Sequence, residues 1–177
     1  RRRELVPFQA AIAAGVPMIM TGHLRVLALD PERPATLSPV IITELLRGDL
    51  GFDGVVVSDG MDMHAISRGV GRPEGTVQAL LAGVDLICIG GDSVTLRAVE
   101  EIVTAVEVAV EEGRLPLGRL VEAQRRVGEL ARRFWLNTDP SPTLATDDVL
   151  LAAAGRSLDV VGDPVVTDVG SVLELYN

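Results

Sequence analysis

Between Gly51 and Ile66 the chain reads GFDGVVVSDGMDMHAI, and this run restricts the fold more than any other segment. Gly51 to Gly54 has the composition of a turn, and Val55-Val56-Val57 is a β-branched strand that is apolar on both faces. A strand apolar on both faces belongs to a parallel sheet covered on both sides. Ser58-Asp59 marks the expected point where this strand meets solvent. In such sheets ligands gather at the carboxyl ends of the strands, so a lone carboxylate there is placed for chemistry, and Asp59 is the first candidate functional residue.

The same pattern, a helix followed by a buried strand, recurs three times. Leu5–Ala14 reads as a helix closed by Gly15, followed by a strand Val16–Thr21 that ends in Gly22-His23. Ser38-Pro39 supplies an N-cap with proline at the first helical position, opening a helix through Arg47 that closes at Gly48, and the strand Val55–Ser58 follows. The third unit is a helix Glu74–Ala82 stopped by Gly83, then a strand Val84–Ile89 ending in Gly90-Gly91-Asp92. A further helix is expected with Asp92 or Ser93 as N-cap, an apolar stripe of Leu96, Val99, Val103, Val106 and Val110, and Gly113 as terminator. The last amphipathic helix, Leu117–Trp135, is expected to bury Leu120, Val121, Val127, Leu130 and Phe134.

Alternating helices and buried strands imply a parallel α/β sheet with right-handed crossovers. Three units are too few to close an eightfold barrel, which takes about 250 residues. From Asn137 the texture turns to Thr, Asp, Pro and Ser, the composition of a linker. Val149–Tyr176 then offers a short helix and alternating strands such as Ser157–Val161. The expected organisation is a partial barrel over residues 1–136, with a linker and the start of a second α/β domain over 137–177.

Composition removes several function classes. The net charge of −9 leaves no basic stripe for nucleic acid. All 16 basic residues are Arg, and without Lys these residues cannot build a Schiff-base aldolase, a pyridoxal-phosphate site or a GK[ST] phosphate loop. The single Cys88 allows no internal disulfide. No apolar run approaches the roughly 20 residues of a membrane helix. The opening Arg1-Arg2-Arg3-Glu4 carries neither an initiator Met nor an apolar leader, so the expectation is a segment of a longer chain, with localisation unreadable.

Four pieces, AGVPMIMTGH, PATLS before a helix, LLRGDLGFDGVVVSD and AGVDLICIG, resemble in order and spacing the second half of the catalytic barrel of glycoside hydrolase family 3. The resemblance is strongest to its β-N-acetylhexosaminidase branch, covers residues 4–135, and implies the last three strand units of a (β/α)8 TIM barrel. It implies a carbohydrate substrate, a retaining glycosidase acting on terminal β-linked N-acetylglucosamine, and no cofactor. It also puts the nucleophile on Asp59. A nucleophilic carboxylate must reach the anomeric carbon from the face opposite the leaving group, so a rigid strand end suits it. The acid/base partner, carried in that branch by a KHFPGHG-type loop, is absent from these residues, as is the N-terminal half of the barrel. Gly60 after Asp59, where many β-glucosidases of the family have an aromatic residue, tilts the choice toward the hexosaminidase-like branch.

Neighbouring residues leave alternatives open. His23, at the same rim, either contacts the sugar or a neighbouring acid, or serves as a structural hydrogen-bonding group. Met63 either lines the pocket wall or packs. Asp62 either positions substrate or Asp59, or merely complements the dipole of a helix starting near Met61. His64 is expected at the surface or behind the site, and Arg25 and Asp30 either reach substrate or form a solvated loop pair. Three rival functions remain. One is a β-glucosidase or β-xylosidase of the same family, and another is an inactive truncated piece. The third is a metal-dependent hydrolase using Asp59, Asp62, His64 and His23, although no HxH or HExxH pattern supports a metal. Gly90-Gly91-Asp92-Ser93 resembles a phosphate-binding turn, but Asp92 would repel an anion and the glycines equally serve a tight connection.

Overall fold

Two short parallel strands carry the site. In the computed structural model, which describes residues 3–90 and 95–135, β1 (Met18–Met20) pairs with β2 (Val55–Val57) in the register Met18–Val55, Ile19–Val56 and Met20–Val57. The ladder runs one residue past each named end, from Val55 N–H to Pro17 O and from Thr21 N–H to Val57 O. On the other edge of β2, Val57 bridges Leu86 in parallel, and Val56 O accepts from Asp85 and Leu86 N–H. The third expected strand, Val84–Ile89, is therefore reduced to a single bridge. After Leu86 the backbone ladder is interrupted, because the next amide due to bond β2, Cys88 N–H, bonds a side chain, Ser58 Oγ, at 2.9 Å.

All three valines of β2 are buried, as the two-sided apolar pattern requires, whereas β1, expected as a buried strand, exposes Met18 and Met20. Ser58 is fully buried as well, so of the expected Ser58-Asp59 exit it is Asp59 that meets solvent. The main core gathers Leu37, Ile42, Leu46, Phe52, Val56, Met61, Ile66, Ala79, Ala82 and Val84. Burying each of the larger of these side chains stabilises the domain by about 1.5–3 kcal/mol.

The helices follow the periodicity with some shifts. Helix α1 spans Val6–Ala13. The second is wound as a π-helix, Val40–Asp49, with Ser38 Oγ accepting from Ile41 N–H at 3.3 Å, as the Ser-Pro start anticipates. It does not stop at Gly48. The wider winding carries it to Asp49, and the left-handed residue that reverses the chain is Gly51, at φ +67°. A short α2 (His64–Ser67) and α3 (Arg72–Ala82) follow, with α3 closed by Gly83.

The next helix, α4 (Leu96–Glu111), is capped by Thr95, whose hydroxyl accepts from Ala98 N–H at 3.2 Å; Asp92 and Ser93, the expected caps, lie outside the described residues. Its fully buried residues are Ala98, Ile102 and Ala109; of the stripe anticipated, Val106 and Val110 pack half-buried against the core and Val99 is half-buried, whereas Leu96 is 85% exposed and Val103 48%. The last helix, α5, has the expected bounds Leu117–Trp135. It buries Ala123, while Val121 and Phe134, expected inside, are exposed among the described residues. The expected linker and second domain over 137–177 lie outside the described residues.

A buried ion cluster fixes the lower end of the sheet. Asp85, expected to be one residue of an apolar strand, has a fully buried side chain that meets Arg47 Nη2 at 2.6 Å, Arg119 Nη2 at 2.5 Å and Arg126 Nη1 at 3.3 Å. Its Oδ2 also accepts from Val56 N–H at 3.0 Å. Arg47 reaches on to the carbonyls of Phe52, Gly54 and Gly83, and Arg119 to those of Leu80 and Val84. The arginines thus tie the entry to β2 to the Gly83–Leu86 segment, at the end opposite Asp59. Burial lowers the Arg47 guanidinium below its ordinary value, and Asp85 offsets that cost.

Candidate active site

Asp59 follows the buried Ser58, half-buried just past the carboxyl end of β2. Its Oδ1 accepts from the next amide, Gly60 N–H, at 2.8 Å. No described residue donates to Oδ2, which leaves one carboxylate oxygen free for an electrophile. Ser58 Oγ, holding Cys88 N–H, and Met61 N–H, bonded to Cys88 O at 3.0 Å, fasten both sides of Asp59 to the neighbouring segment. The carboxylate thus stands on a peptide anchored before and after it.

The structure brings His23 to this peptide. Its Nε2 lies 2.9 Å from Gly60 O and its Nδ1 2.9 Å from Thr36 Oγ1, while Thr36 Oγ1 lies 2.8 Å from Thr21 Oγ1. A carbonyl only accepts, so Nε2 carries the proton. In the neutral ring Nδ1 then accepts from the Thr36 hydroxyl, and Thr36 in turn accepts from Thr21. Both ring nitrogens are occupied within the protein. Of the two expected roles for His23, the structural hydrogen bond is the one present in this geometry.

Asp62 is not in the first turn of a helix, since α2 begins at His64. Its Oδ1 instead accepts from Gly90 N–H at 3.2 Å, joining the loop after β2 to the loop after Leu86. A Cβ on Gly60 would sit 2.9 Å from that oxygen, inside contact distance. Met63 is exposed and His64 and Ala65 are too; with Asp62 they line an open hollow of ≈ 420 Å³.

Asp30 is buried rather than solvated. Its Oδ2 accepts from Ser38 Oγ at 2.7 Å and its Oδ1 from the Glu32 and Arg33 amides, and these bonds, Ser38's first, hold its carboxyl below the ordinary carboxylate value. Arg25 is exposed and donates to Pro31 O, so the two expected loop residues are not a pair. Among the described residues no three His, Cys, Asp or Glu side chains gather as a metal site. The Gly91–Ser93 part of the candidate phosphate turn lies outside the described residues.

Sequence reasoning had no role for Thr21 and Thr36. The available signal was a hydroxyl residue two positions before a strand-end histidine and another in the PATLS motif.

A parallel α/β sheet with its carboxylate at the strand ends is the architecture of barrel enzymes, and comparison with known proteins makes the class definite. The glycosyl hydrolase family 3 N-terminal domain matches residues 1–130, and the chain belongs to that family, whose fold is of the TIM-barrel type. The chain is 32% identical over 148 residues to beta-hexosaminidase A of Pseudoalteromonas piscicida, covering 75% of this chain and 25% of that protein. To the beta-hexosaminidase of Stenotrophomonas maltophilia strain K279a it is 44% identical over 89 residues, 50% of this chain and 26% of that one. Among solved structures, a family 3 beta-N-acetylglucosaminidase from Paenibacillus sp. FPU-7 superposes with a TM-score of 0.74 at 39% identity, over 85% of this chain and 30% of its own. The chain therefore spans less than a third of the length of each of these relatives.

Proposed function

We propose that these residues form the nucleophile half of a retaining β-N-acetylhexosaminidase site, cleaving terminal β-linked N-acetylglucosamine. The observation that carries this reading is the placement of Asp59: a half-buried carboxylate at the end of a buried parallel strand, one oxygen held by Gly60 N–H and the other accepting from no described residue. It stands where the family resemblance puts the nucleophile, and the hexosaminidase names of the relatives support the glycone.

In the proposed reaction Asp59 attacks the anomeric carbon as the glycosidic C–O bond breaks and an acid protonates the leaving oxygen. Water then displaces the Asp59 ester, giving up its proton to the same group acting as base. That acid/base lies outside the residues of this chain, as does the remainder of the barrel. Residues 1–136 represent the last three strand units, and 137–177 a linker and the start of a following domain. Gly60 favours the hexosaminidase-like reading over the β-glucosidase one, because many β-glucosidases of the family have an aromatic residue at this position.

The test uses the intact enzyme containing this domain. Asp59→Asn is expected to lower turnover of p-nitrophenyl N-acetyl-β-glucosaminide by several orders of magnitude with an unchanged melting temperature, and retained turnover would end the nucleophile assignment. A kcat/KM higher for the glucoside than for the N-acetylglucosaminide would move the enzyme to the β-glucosidase branch.

A further inference from the structure

Gly60 is held on every polar atom it has. Its N–H is taken by Asp59 Oδ1, and its carbonyl by both Met63 N–H at 3.1 Å and His23 Nε2 at 2.9 Å. Of these, only the histidine comes from another strand unit, 37 residues away in the chain. The histidine is itself oriented by the fully buried Thr36, which Thr21 holds, and the Thr21 amide is bonded to Val57 O, two residues before Asp59. The path closes on itself: β2, Thr21, Thr36, His23, Gly60, Asp59.

We propose that His23 is a positioning residue for Asp59, donating from Nε2–H to the Gly60 carbonyl and set by the Thr36–Thr21 hydroxyl pair, and that it does not contact the sugar. This rests on Asp59 being the nucleophile. A carboxylate bonded to the amide next to its own backbone turns with that peptide. The Gly60 carbonyl is the adjoining handle, so the His23 bond fixes the direction from which Asp59 Oδ2 meets the anomeric carbon. Misplacing a reacting atom by about 1 Å costs about a hundredfold in rate without weakening substrate binding. Removing His23 therefore reduces kcat and leaves KM in place.

The amide nitrogen of Gln occupies nearly the position of His Nε2, whereas that of Asn occupies the position of Nδ1. In the intact enzyme, His23→Ala and His23→Asn are expected to lower kcat about a hundredfold with KM changed by less than about threefold. His23→Gln recovers most of the loss, because it again donates to Gly60 O. Thr36→Val, which keeps the shape but leaves Nδ1 without its hydrogen-bond partner, gives an intermediate loss. The rate of covalent labelling of Asp59 by a fluorinated N-acetylglucosaminide, followed by intact mass, falls in the same order. A KM that rises together with the loss in His23→Ala would mean sugar contact and overturn the proposal. So would a His23→Gln enzyme as slow as His23→Ala, or losses that track melting temperature. Asp59→Asn, assayed in parallel, separates the two levels: an active Asp59→Asn enzyme defeats the nucleophile assignment, whereas an inactive one with a failed His23 series defeats only the positioning role.

Discussion

Replacing Asp85 by Asn changes one oxygen to an amide nitrogen and nothing in shape, yet it is expected to be among the most damaging single substitutions in this domain. Asp85 Oδ2 faces two donors, Arg47 Nη2 and Val56 N–H, and Oδ1 faces two more, Arg119 Nη2 and Arg126 Nη1. Whichever way the Asn amide is turned, its NH2 group meets two donors. At the same time three guanidinium groups, with side chains only 13%, 12% and 10% exposed, lose the buried anion between them. Glu122 remains beside Arg119 and Arg126, but no acidic group replaces Asp85 for Arg47 among the described residues. Removing one partner of a buried ion pair costs about 3–5 kcal/mol. Two of the arginines also carry the backbone carbonyls that frame the sheet, so a cost at the upper end is expected. With a urea slope of about 2 kcal/mol/M, the unfolding midpoint of the domain should fall by about 2 M. Far-UV circular dichroism in urea measures this, and the difference should persist at high salt because the cluster is shielded from solvent ions. A loss below about 1 kcal/mol, in the range of an exposed pair, would refute the view that this cluster secures the sheet.

Three further outcomes follow from individual contacts. Gly60→Ala forces Asp62 away from Gly90 N–H and should cost about 1.5–3 kcal/mol, the worth of a hydrogen bond to a charged group; in an Asp62→Ala background it should cost little, so additive losses in the double-mutant cycle would refute the contact. Asp30 has a carboxyl value lowered by folding, so its contribution to stability is present above the ordinary value of 3.8 and lost as pH falls through the lower folded value. Asp30→Asn should accordingly flatten the acid limb of stability against pH, and an unchanged limb in urea midpoints would contradict the Ser38 bond. Exhaustive chelation should leave turnover of the intact enzyme unchanged, whereas loss restored by added zinc would revive a metal-dependent mechanism.

Elements set by neighbours in the chain are legible in the order of residues alone. The valine run of β2, the Ser-Pro start of the π-helix, the stop at Gly83 and the bounds of α5 all rest on local periodicity and end chemistry. Asp59 stands out for the same reason, because a strand that is apolar on both faces and ends on an acid can be read from a few consecutive residues. The exact orientation of α4 is not legible in this way: its Val and Ala residues are all apolar, and which of them is buried fully, as Ala98 and Ala109 are, or left exposed, as Leu96 and Val103 are, depends on the partner it packs against. The shortened third strand depends on Ser58 taking Cys88 N–H out of the ladder.

By itself, then, the sequence determined the alternation of helices and strands, the burial of β2 on both faces, the family and the candidate carboxylate, because these depend on residues a few positions apart. Tertiary structure alone decided the partners of the polar groups. Asp85 finds its arginines 34 to 41 residues away, and His23 finds Gly60 at a separation of 37. A buried charge or an imidazole nitrogen must be satisfied by whatever donor or acceptor folding brings within about 3 Å, and no local pattern encodes that choice.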